Sequence, residues 1–480
     1  MPDRSPTPSS PRRGLPPRAL AVLYLAAILL PLALAWTGGL EHRRLSMTLA
    51  AGAGIASAAM ILMQMVTSGR FEAVSGRIGI DVTMAFHKWA APTALVLALG
   101  HALLLVGPPD ADHPHRLARR FFRMATEDGL VDGRLALGLL ALIVGMALLR
   151  ERLPLRYEIW RASHALGAVA LVGTLLWHIA SDARPAGLTL PWWGLFALAA
   201  LVPAAGVYLR RLTRPAAADW RIAGLRPVAE RLWELRLDPP AGGGLKFRAG
   251  QFAWLSFGGR RLPLFDHPFS IASAPGTPGL RFLIQEAGDF TGHLGQLASG
   301  TPVGLDAPHG SFGLAEGTGP VLLIAGGVGI APILSVLDDL AARGDGRPVR
   351  LVYACRSPEA MVPDDLLRPA CDRLGVVPLT LVDRGAGPGL APGPLTEAHL
   401  RALLNGLDPG ATRALICGPG PMMTMAADTL ARLGLRPERI GYERFSYAVA
   451  ESSARDRRML SGFAALFAAI GAAVLAFALV

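Results

Sequence analysis

The chain has 480 residues, of which 52% are hydrophobic and only 17% charged. An ordinary soluble domain is about 25% charged, so a wholly soluble, disordered or collagenous protein is excluded. The formal charge is +11, yet all of the 47 basic residues except Lys88 and Lys246 are Arg, scattered without a run of five; they read as membrane flanks and anion contacts, and no nucleic-acid partner is expected.

In chain order, residues 1–18 are rich in Pro, Ser and Arg and are expected to be disordered. A membrane helix needs about 20 mainly apolar residues. Such runs fill 19–36, 45–68, 89–109, 162–181, 185–209 and 459–480. The run 135–149 is shorter, but Arg134 and Arg150 at its ends are placed to snorkel. The pattern predicts a six-helix membrane domain over 19–212 and one more span within a C-terminal segment, 448–480. The first run also has the look of a signal peptide, with Ala33-Leu34-Ala35 as a cleavage site, though it is long for one. Basic flanks such as Arg12, Arg13, Arg77, Lys88, Arg152, Arg156, Arg210 and Arg457 share one side, which the bias of positive charge makes the cytoplasm. The region from 215 to 455 then lies in the cytoplasm of a multi-pass inner (plasma) membrane protein.

From residue 213 the texture changes. Short apolar strands alternate with Gly/Pro turns, predicting a small antiparallel β-domain over 213–315. Strand and helix patterns then alternate, predicting an α/β domain over 316–447. The uncharged run 317–337 is not a span, because Ala-Gly-Gly-Val-Gly-Ile-Ala-Pro (325–332) interrupts it. A strand over 321–325, a glycine turn and a new helix account for it. Cys355, Cys371 and Cys417 show no CxxC spacing, so neither a disulfide frame nor a cysteine zinc site follows.

Histidines within membrane helices are functional hypotheses. His87 and His101 belong to the third span with its cytoplasmic edge, and His164 and His178 to the fifth; each pair is 14 residues apart. That spacing returns to within about 40° of one helix face after about 21 Å. Two parallel helices then offer two layers of paired imidazoles, His87 with His164 nearer the cytoplasm and His101 with His178 nearer the outside. The arrangement suits two bis-histidine haems in an apolar slot. The alternative is four helix-packing or interfacial histidines.

His267-Pro268-Phe269-Ser270-Ile271-Ala272-Ser273 resembles the flavin-binding segment of ferredoxin-reductase-type domains, in the form found in NADPH oxidases and ferric reductases. Soluble members of the group more often carry Arg where His267 stands. Arg248-Ala249-Gly250-Gln251-Phe252 resembles the strand and turn before that segment, and Gly288-Asp289-Phe290-Thr291 the loop that touches the FAD pyrophosphate. Three later segments resemble the NAD(P)H half of the same proteins, in order. They are Gly326-Gly327-Val328-Gly329-Ile330-Ala331-Pro332, Tyr353-Ala354-Cys355-Arg356-Ser357 and Cys417-Gly418-Pro419-Gly420-Pro421-Met422. Glycines let the backbone approach a pyrophosphate, and a helix N-terminus favours its charge.

Phe86-His87-Lys88-Trp89 and Trp160-Arg161-Ala162-Ser163-His164 resemble the ferric-reductase-like transmembrane domain. The resemblance spans about residues 20–447. It implies a membrane all-α bundle fused to a β-barrel FAD domain and a Rossmann-like α/β NAD(P)-binding domain. The implied groups are FAD held around His267, Pro268, Phe269, Ser270, Gly288 and Thr291, and NAD(P)H held around Gly326, Gly327, Gly329, Pro332, Gly418 and Pro419. Cys417 would lie near the nicotinamide, or serve as an ordinary buried small residue. Arg356 and Ser357 would favour NADPH over NADH by meeting a 2′-phosphate; alternatively Arg356 is a surface charge. Glu443-Arg444-Phe445-Ser446-Tyr447 resembles the usual end of these proteins, where Tyr447, or failing it Phe445, would stack on the flavin. This chain continues beyond it, either tethering the flavin domain near the membrane or adding a hydrophobic tail or partner contact.

The implied path runs from NAD(P)H to FAD, to the two b-type haems and to an outside acceptor, either oxygen giving superoxide or a ferric chelate giving Fe(II). The competing readings are a module that feeds electrons to a periplasmic partner enzyme, and a haem-free membrane protein that retained a reductase domain. The loop Asp110-Ala111-Asp112-His113-Pro114-His115 is a polar loop or a metal site. Arg116, Arg119, Arg120 and Arg123 would meet haem propionates, an anionic chelate or lipid headgroups.

Overall fold

A computed structural model describes residues 14–37, 44–68, 71–107, 115–182, 189–213, 220–241, 243–258, 265–314, 317–443 and 453–479. Two compact units emerge, one of Gly14–Arg210 with Leu460–Val480 and one centred on Arg211–Met459.

The first unit is all helical: α1 (Pro17–Thr37), α2 (Leu45–Val66), α3 (Glu72–Ile78), α4 (Ile80–Val106), α5 (His115–Thr126), α6 (Val131–Leu148), α7 (Tyr157–Asp182) and α8 (Thr189–Thr213). The far end of the chain returns to this unit as a long final helix, Ala454–Leu479. Among the described residues six helices are long and apolar enough to cross a membrane; the apolar part of α8, Pro191–Gly206, is shorter. The third span starts at Ile80, well before the expected 89, because the single charge of Lys88 does not end a helix. Gly79, at φ 98°, makes the corner before it.

Small residues let the helices approach. Buried Ala50, Ala53, Ala56 and Ala59 line α2, and Ser57 Oγ donates to the Ala94 carbonyl of α4 at 2.8 Å. Such close contact supplies the packing that drives helix association in lipid. The final helix is a packed member of the bundle and not a loose tail. Ile470 is fully buried, and a Cβ on Gly52 would stand 3.0 Å from Phe477. Phe463 and Phe467 lie against Phe86 at 5.1 and 5.6 Å, and Tyr24 of α1 meets Phe86 edge-on at 4.9 Å.

The second unit begins with six antiparallel strands, β1 (Trp220–Ala229), β2 (Leu232–Asp238), β3 (Phe252–Phe257), β4 (His267–Ser270), β5 (Leu280–Gln285) and β6 (Pro302–His309), in the order β4-β3-β6-β1-β2-β5. The expected β-barrel is corrected here: the sheet does not close. Its two edges meet through the isolated bridge Ile271–Phe282 and a few bonds between Ala272–Ser273 and Arg281, not through a ladder of strands. β4 is four residues long, too short to form a closing ladder with β5 once it has paired with β3.

A parallel sheet follows. Its elements are β7 (Val321–Gly326), α9 (Ile330–Arg343), β8 (Val349–Cys355), α10 (Asp364–Leu374), β9 (Leu379–Val382), β10 (Ala391–Pro392), α11 (Glu397–Leu404), β11 (Arg413–Cys417), α12 (Gly420–Arg432) and β12 (Ile440–Glu443). The order β10-β9-β8-β7-β11-β12 leaves a topological switch point between β7 and β11, where doubly wound sheets bind dinucleotides. Every residue of β7 is buried, as a strand covered on both faces requires.

The two sheets share one core, in which Leu232, Ala272, Leu283 and Phe312 pack with Ile330, Ile333 and Leu337. Arg281 of β5 pairs with Asp338 of α9 at 2.6 Å, and Ser335 donates to the Ser273 carbonyl at 2.7 Å. Burial raises the Asp338 carboxyl above its usual range, against the pull of Arg281. The last helix, α13 (Ala454–Leu479), starts from this unit. Asp456 accepts from Tyr442 of β12 at 2.9 Å and from Ser453 at 2.8 Å, and Ala454 N donates to Asp428 of α12 at 2.7 Å.

Candidate electron-transfer site

α4 and α7 bring the four histidines together as two rungs. His87 and His164 have ring centroids 6.3 Å apart, and His101 and His178 6.4 Å apart. A metal–imidazole bond is about 2.0 Å and a ring nitrogen lies about 1.2 Å from its centroid, so two imidazoles flanking one metal ion hold their centroids roughly 6.4 Å apart. Both rungs match that separation. His87 and His164 Nδ1 are buried with no hydrogen-bond partner among the described residues. His101 Nδ1 lies 2.8 Å from the Ala50 carbonyl, which can only accept, so Nδ1 carries the proton and Nε2 keeps its lone pair. These residues fit a haem iron held between two imidazoles. Among the described residues there is no cluster of three or more His, Cys, Asp or Glu.

Neighbours shape the rungs, of which the sequence singled out Trp160 but not Gly54, Gly133 or Asp132. A Cβ on Gly54 of α2 would stand 2.7 Å from His101 Nδ1, and one on Gly133 of α6 would stand 3.0 Å from the His178 ring. Both glycines leave room that an imidazole occupies. Trp160 stacks on His164 at 5.4 Å and 22°. Asp132 Oδ1 lies 3.5 Å from His178 Nδ1. The small-residue run of α2 and the charge of Asp132 at the edge of an apolar run were the available signals. Neither reveals its partner without the fold.

In the flavin segment, β4 pairs with β3 so that Ser270 faces Phe252 and His267 faces Leu255. The His267 ring stacks on Phe290 at 4.5 Å and 7°. Pro268 is exposed and Phe269 half-buried. Ser270 Oγ is buried with no hydrogen-bond partner, the kind of hydroxyl that a ligand would satisfy. Thr291 is turned into its own loop: its hydroxyl accepts from Ala287 N at 2.9 Å and Gly288 N at 3.0 Å. Ser270 therefore carries the fit of the segment to FAD.

The nucleotide loops meet at the switch point. Gly326, Gly327 and Gly329 follow β7, and Gly418 and Pro419 follow β11. A Cβ on Gly329 would run into the Cys417 carbonyl and stand 2.8 Å from Gly418 N; one on Gly418 would stand 2.9 Å from Gly326 Cα. The loops therefore touch backbone to backbone. Gly327 differs: it has φ 53° and open space around it, a bare edge for a ligand. Pro332, in the first turn of α9, gives up no intrahelical bond there. Cys417 is fully buried, and burial, with Glu443 adding to it, holds its thiol well above the usual range. It remains a neutral thiol and supplies no thiolate. Arg356 is exposed and Ser357 half-buried after β8. Tyr447 and Phe445 lie outside the described residues, as does all of the loop 110–115 except His115.

A membrane helix bundle carrying paired histidines, joined to an antiparallel sheet and a doubly wound nucleotide sheet, defines a transmembrane NAD(P)H-dependent flavin oxidoreductase. The family model of the ferric reductase like transmembrane component matches residues 53–175, that of an FAD-binding domain 220–309, and that of an oxidoreductase NAD-binding domain 323–428. The chain is a ferric-reductase-like transmembrane domain fused to a ferredoxin-reductase-type FAD- and NAD-binding domain.

Among curated relatives, the reductase component of propane 2-monooxygenase from Rhodococcus jostii (strain RHA1) is 29% identical over 239 residues, 47% of this chain. The 2-halobenzoate 1,2-dioxygenase electron transfer component of Burkholderia cepacia is 32% identical over 222 residues, 45% of this chain. In each case the chain spans 63% of the relative's length. The flavohem-like FAD/NAD binding domain of nitric oxide dioxygenase from Vibrio cholerae O1 biovar El Tor is similar in structure, with TM-score 0.43 and 23% identity, over 48% of this chain and 98% of that one.

Proposed function

We propose that this chain moves electrons across the inner membrane, from NAD(P)H on the cytoplasmic side to an acceptor on the other, with FAD and two b-type haems as its bound groups. The single observation that carries the reading is the pair of histidine rungs, 6.3 and 6.4 Å between centroids, one above the other on α4 and α7. When bound, FAD accepts one hydride, two electrons at once, and releases electrons singly, and haem iron carries one electron at a time.

The protein's own contribution is holding and insulating. His87 with His164, and His101 with His178, would hold one haem each, and with two imidazoles on each the acceptor would be met at a surface. Lipid-facing apolar helices keep water from the rungs. The touching glycine loops after β7 and β11 seat the dinucleotide, Arg356 and Ser357 select NADPH, and the buried Ser270 hydroxyl holds the flavin. Cys417 packs as a neutral small group beside the nicotinamide.

The acceptor is oxygen, giving superoxide, or a ferric chelate, giving Fe(II). A second reading, a module that supplies a periplasmic partner enzyme, is supported by the two relatives, which are reductase and electron transfer components. Stopped-flow spectroscopy of the purified full chain with FAD and NADPH decides between them, with oxygen and ferric citrate offered separately. A b-type spectrum reduced by NADPH and reoxidised by one of the two supports the first reading. Reduction with reoxidation by neither supports the second. Absence of a b-type spectrum sinks both.

A further inference from the structure

The two rungs differ in what holds the second nitrogen of each ring. His87 and His164 have no hydrogen-bond partner for Nδ1 among the described residues. In the other rung His101 Nδ1 bonds the Ala50 carbonyl at 2.8 Å, and His178 Nδ1, with no formed hydrogen bond among the described residues, faces the Asp132 carboxylate at 3.5 Å. The second contact is an ion-pair distance, longer than a formed hydrogen bond.

Asp132 is only 4% exposed, in the first turn of a helix that crosses the membrane. A buried carboxylate there is costly and calls for partners. The local chain provides them. Gly133 N donates to Asp132 Oδ1 at 2.7 Å, and Ser181, one turn beyond His178 on the same face of α7, bonds the same carboxylate. A Cβ on Gly133 would stand 3.0 and 3.1 Å from His178 Cε1 and Nδ1, so the Asp132–Gly133 turn forms a fitted seat for this one ring. Among the described residues His178 is the ion-pair partner of Asp132.

We infer that Asp132 is the positioning residue of His178: it accepts from Nδ1–H, leaves the Nε2 lone pair for the metal, and makes the two rungs electronically unequal. The inference rests on the reading of the rungs as haem sites. A carboxylate bonded to a metal-bound imidazole raises the basicity of that ligand and favours the more highly charged metal state. Iron at the His101/His178 rung is therefore held at a lower potential than the same rung would have without Asp132. Among the described residues the His87/His164 rung has no such carboxylate.

Potentiometric titration of the full-length protein, followed in the haem α-band and by electron paramagnetic resonance of the ferric state, tests this with Asp132→Asn and Asp132→Ala. The expected result is that one haem's midpoint shifts to higher potential and its ferric signal changes, while the other haem keeps both. Asn preserves shape and the Gly133 contact, so it decides the matter where Ala fails to fold. Two haems with unmoved midpoints in Asp132→Asn, or both midpoints moving together as in a general structural loss, would overturn the role of Asp132 alone. A wild-type protein with no haem overturns the underlying reading as well.

Discussion

The contact between the two nucleotide loops makes Gly329→Ala a sharp test of the fold. Gly329 has φ −60°, which any residue adopts, so the backbone itself tolerates Ala. The obstacle is across the gap: the new Cβ would run into the Cys417 carbonyl oxygen and stand 2.5 Å from its carbon. Carbon atoms prefer about 3.5–4.0 Å, so the overlap exceeds 1 Å, and no side-chain rotation relieves it. The loops cannot part cheaply, because Cys417 and Ala325 are register partners in adjacent strands.

Overpacking a rigid site costs about 1–3 kcal/mol, and a backbone clash belongs at the top of that range. At roughly 2–4 °C per kcal/mol for a unit of this size, flavin release on heating should come about 6–12 °C earlier. If the loops instead separate, the KM for NAD(P)H in dye reduction should rise about tenfold, a loss of about 1.4 kcal/mol. Gly327→Ala is the matched control: it has open space but φ 53°, so it should cost only about 1–2 kcal/mol of left-handed strain. A Gly329→Ala protein with wild-type thermal release and unchanged KM would show that the two loops are not in backbone contact, and the reasoning would fail.

Other expectations follow from the same geometry. His101→Leu should remove one of two haems and stop reduction of an acceptor across the membrane, while NADPH still reduces the flavin; unchanged acceptor reduction would refute the rung. Arg356→Ala should raise the KM for NADPH about tenfold, consistent with losing a charge-assisted contact of about 1.5–3 kcal/mol, and leave NADH unaffected; equal effects on both would make Arg356 a surface charge. All three cysteines are buried and their thiols raised by burial, Cys371 to about 11. Raised values shrink the thiolate fraction at pH 8, so an aromatic disulfide reagent should label none of them in the folded chain and all three after denaturation. Fast labelling of the native protein would contradict the burial.

Local pattern carried far in this chain. Uncharged runs marked the helices, because a bilayer demands apolar length and little else. The spacing of His87 to His101 and His164 to His178 placed two imidazoles on one face of each helix, because helix periodicity is a local property. The glycine loops at 326–329 and 417–419 were legible because approach to a phosphate demands missing side chains.

What the sequence could not decide was partnership. Whether two helices face each other depends on close packing among Ala50, Ala53, Ala56 and their neighbours, and only the folded bundle sets the rungs 6.3 and 6.4 Å apart. The closed barrel was implied by the family resemblance, while strand texture told only of an antiparallel β-domain; closure depends on how β4 and β5 meet, a contact between segments distant in sequence. The last helix read equally as tether or tail until Phe463, Phe467 and Ile470 were found packed in the bundle core. Asp132 and Gly133 carry no motif of their own, and acquire meaning only beside His178. Periodicity and composition act along the chain and can be read from it. Packing, register closure and the environment of a buried charge arise between segments, and only the tertiary structure settles them.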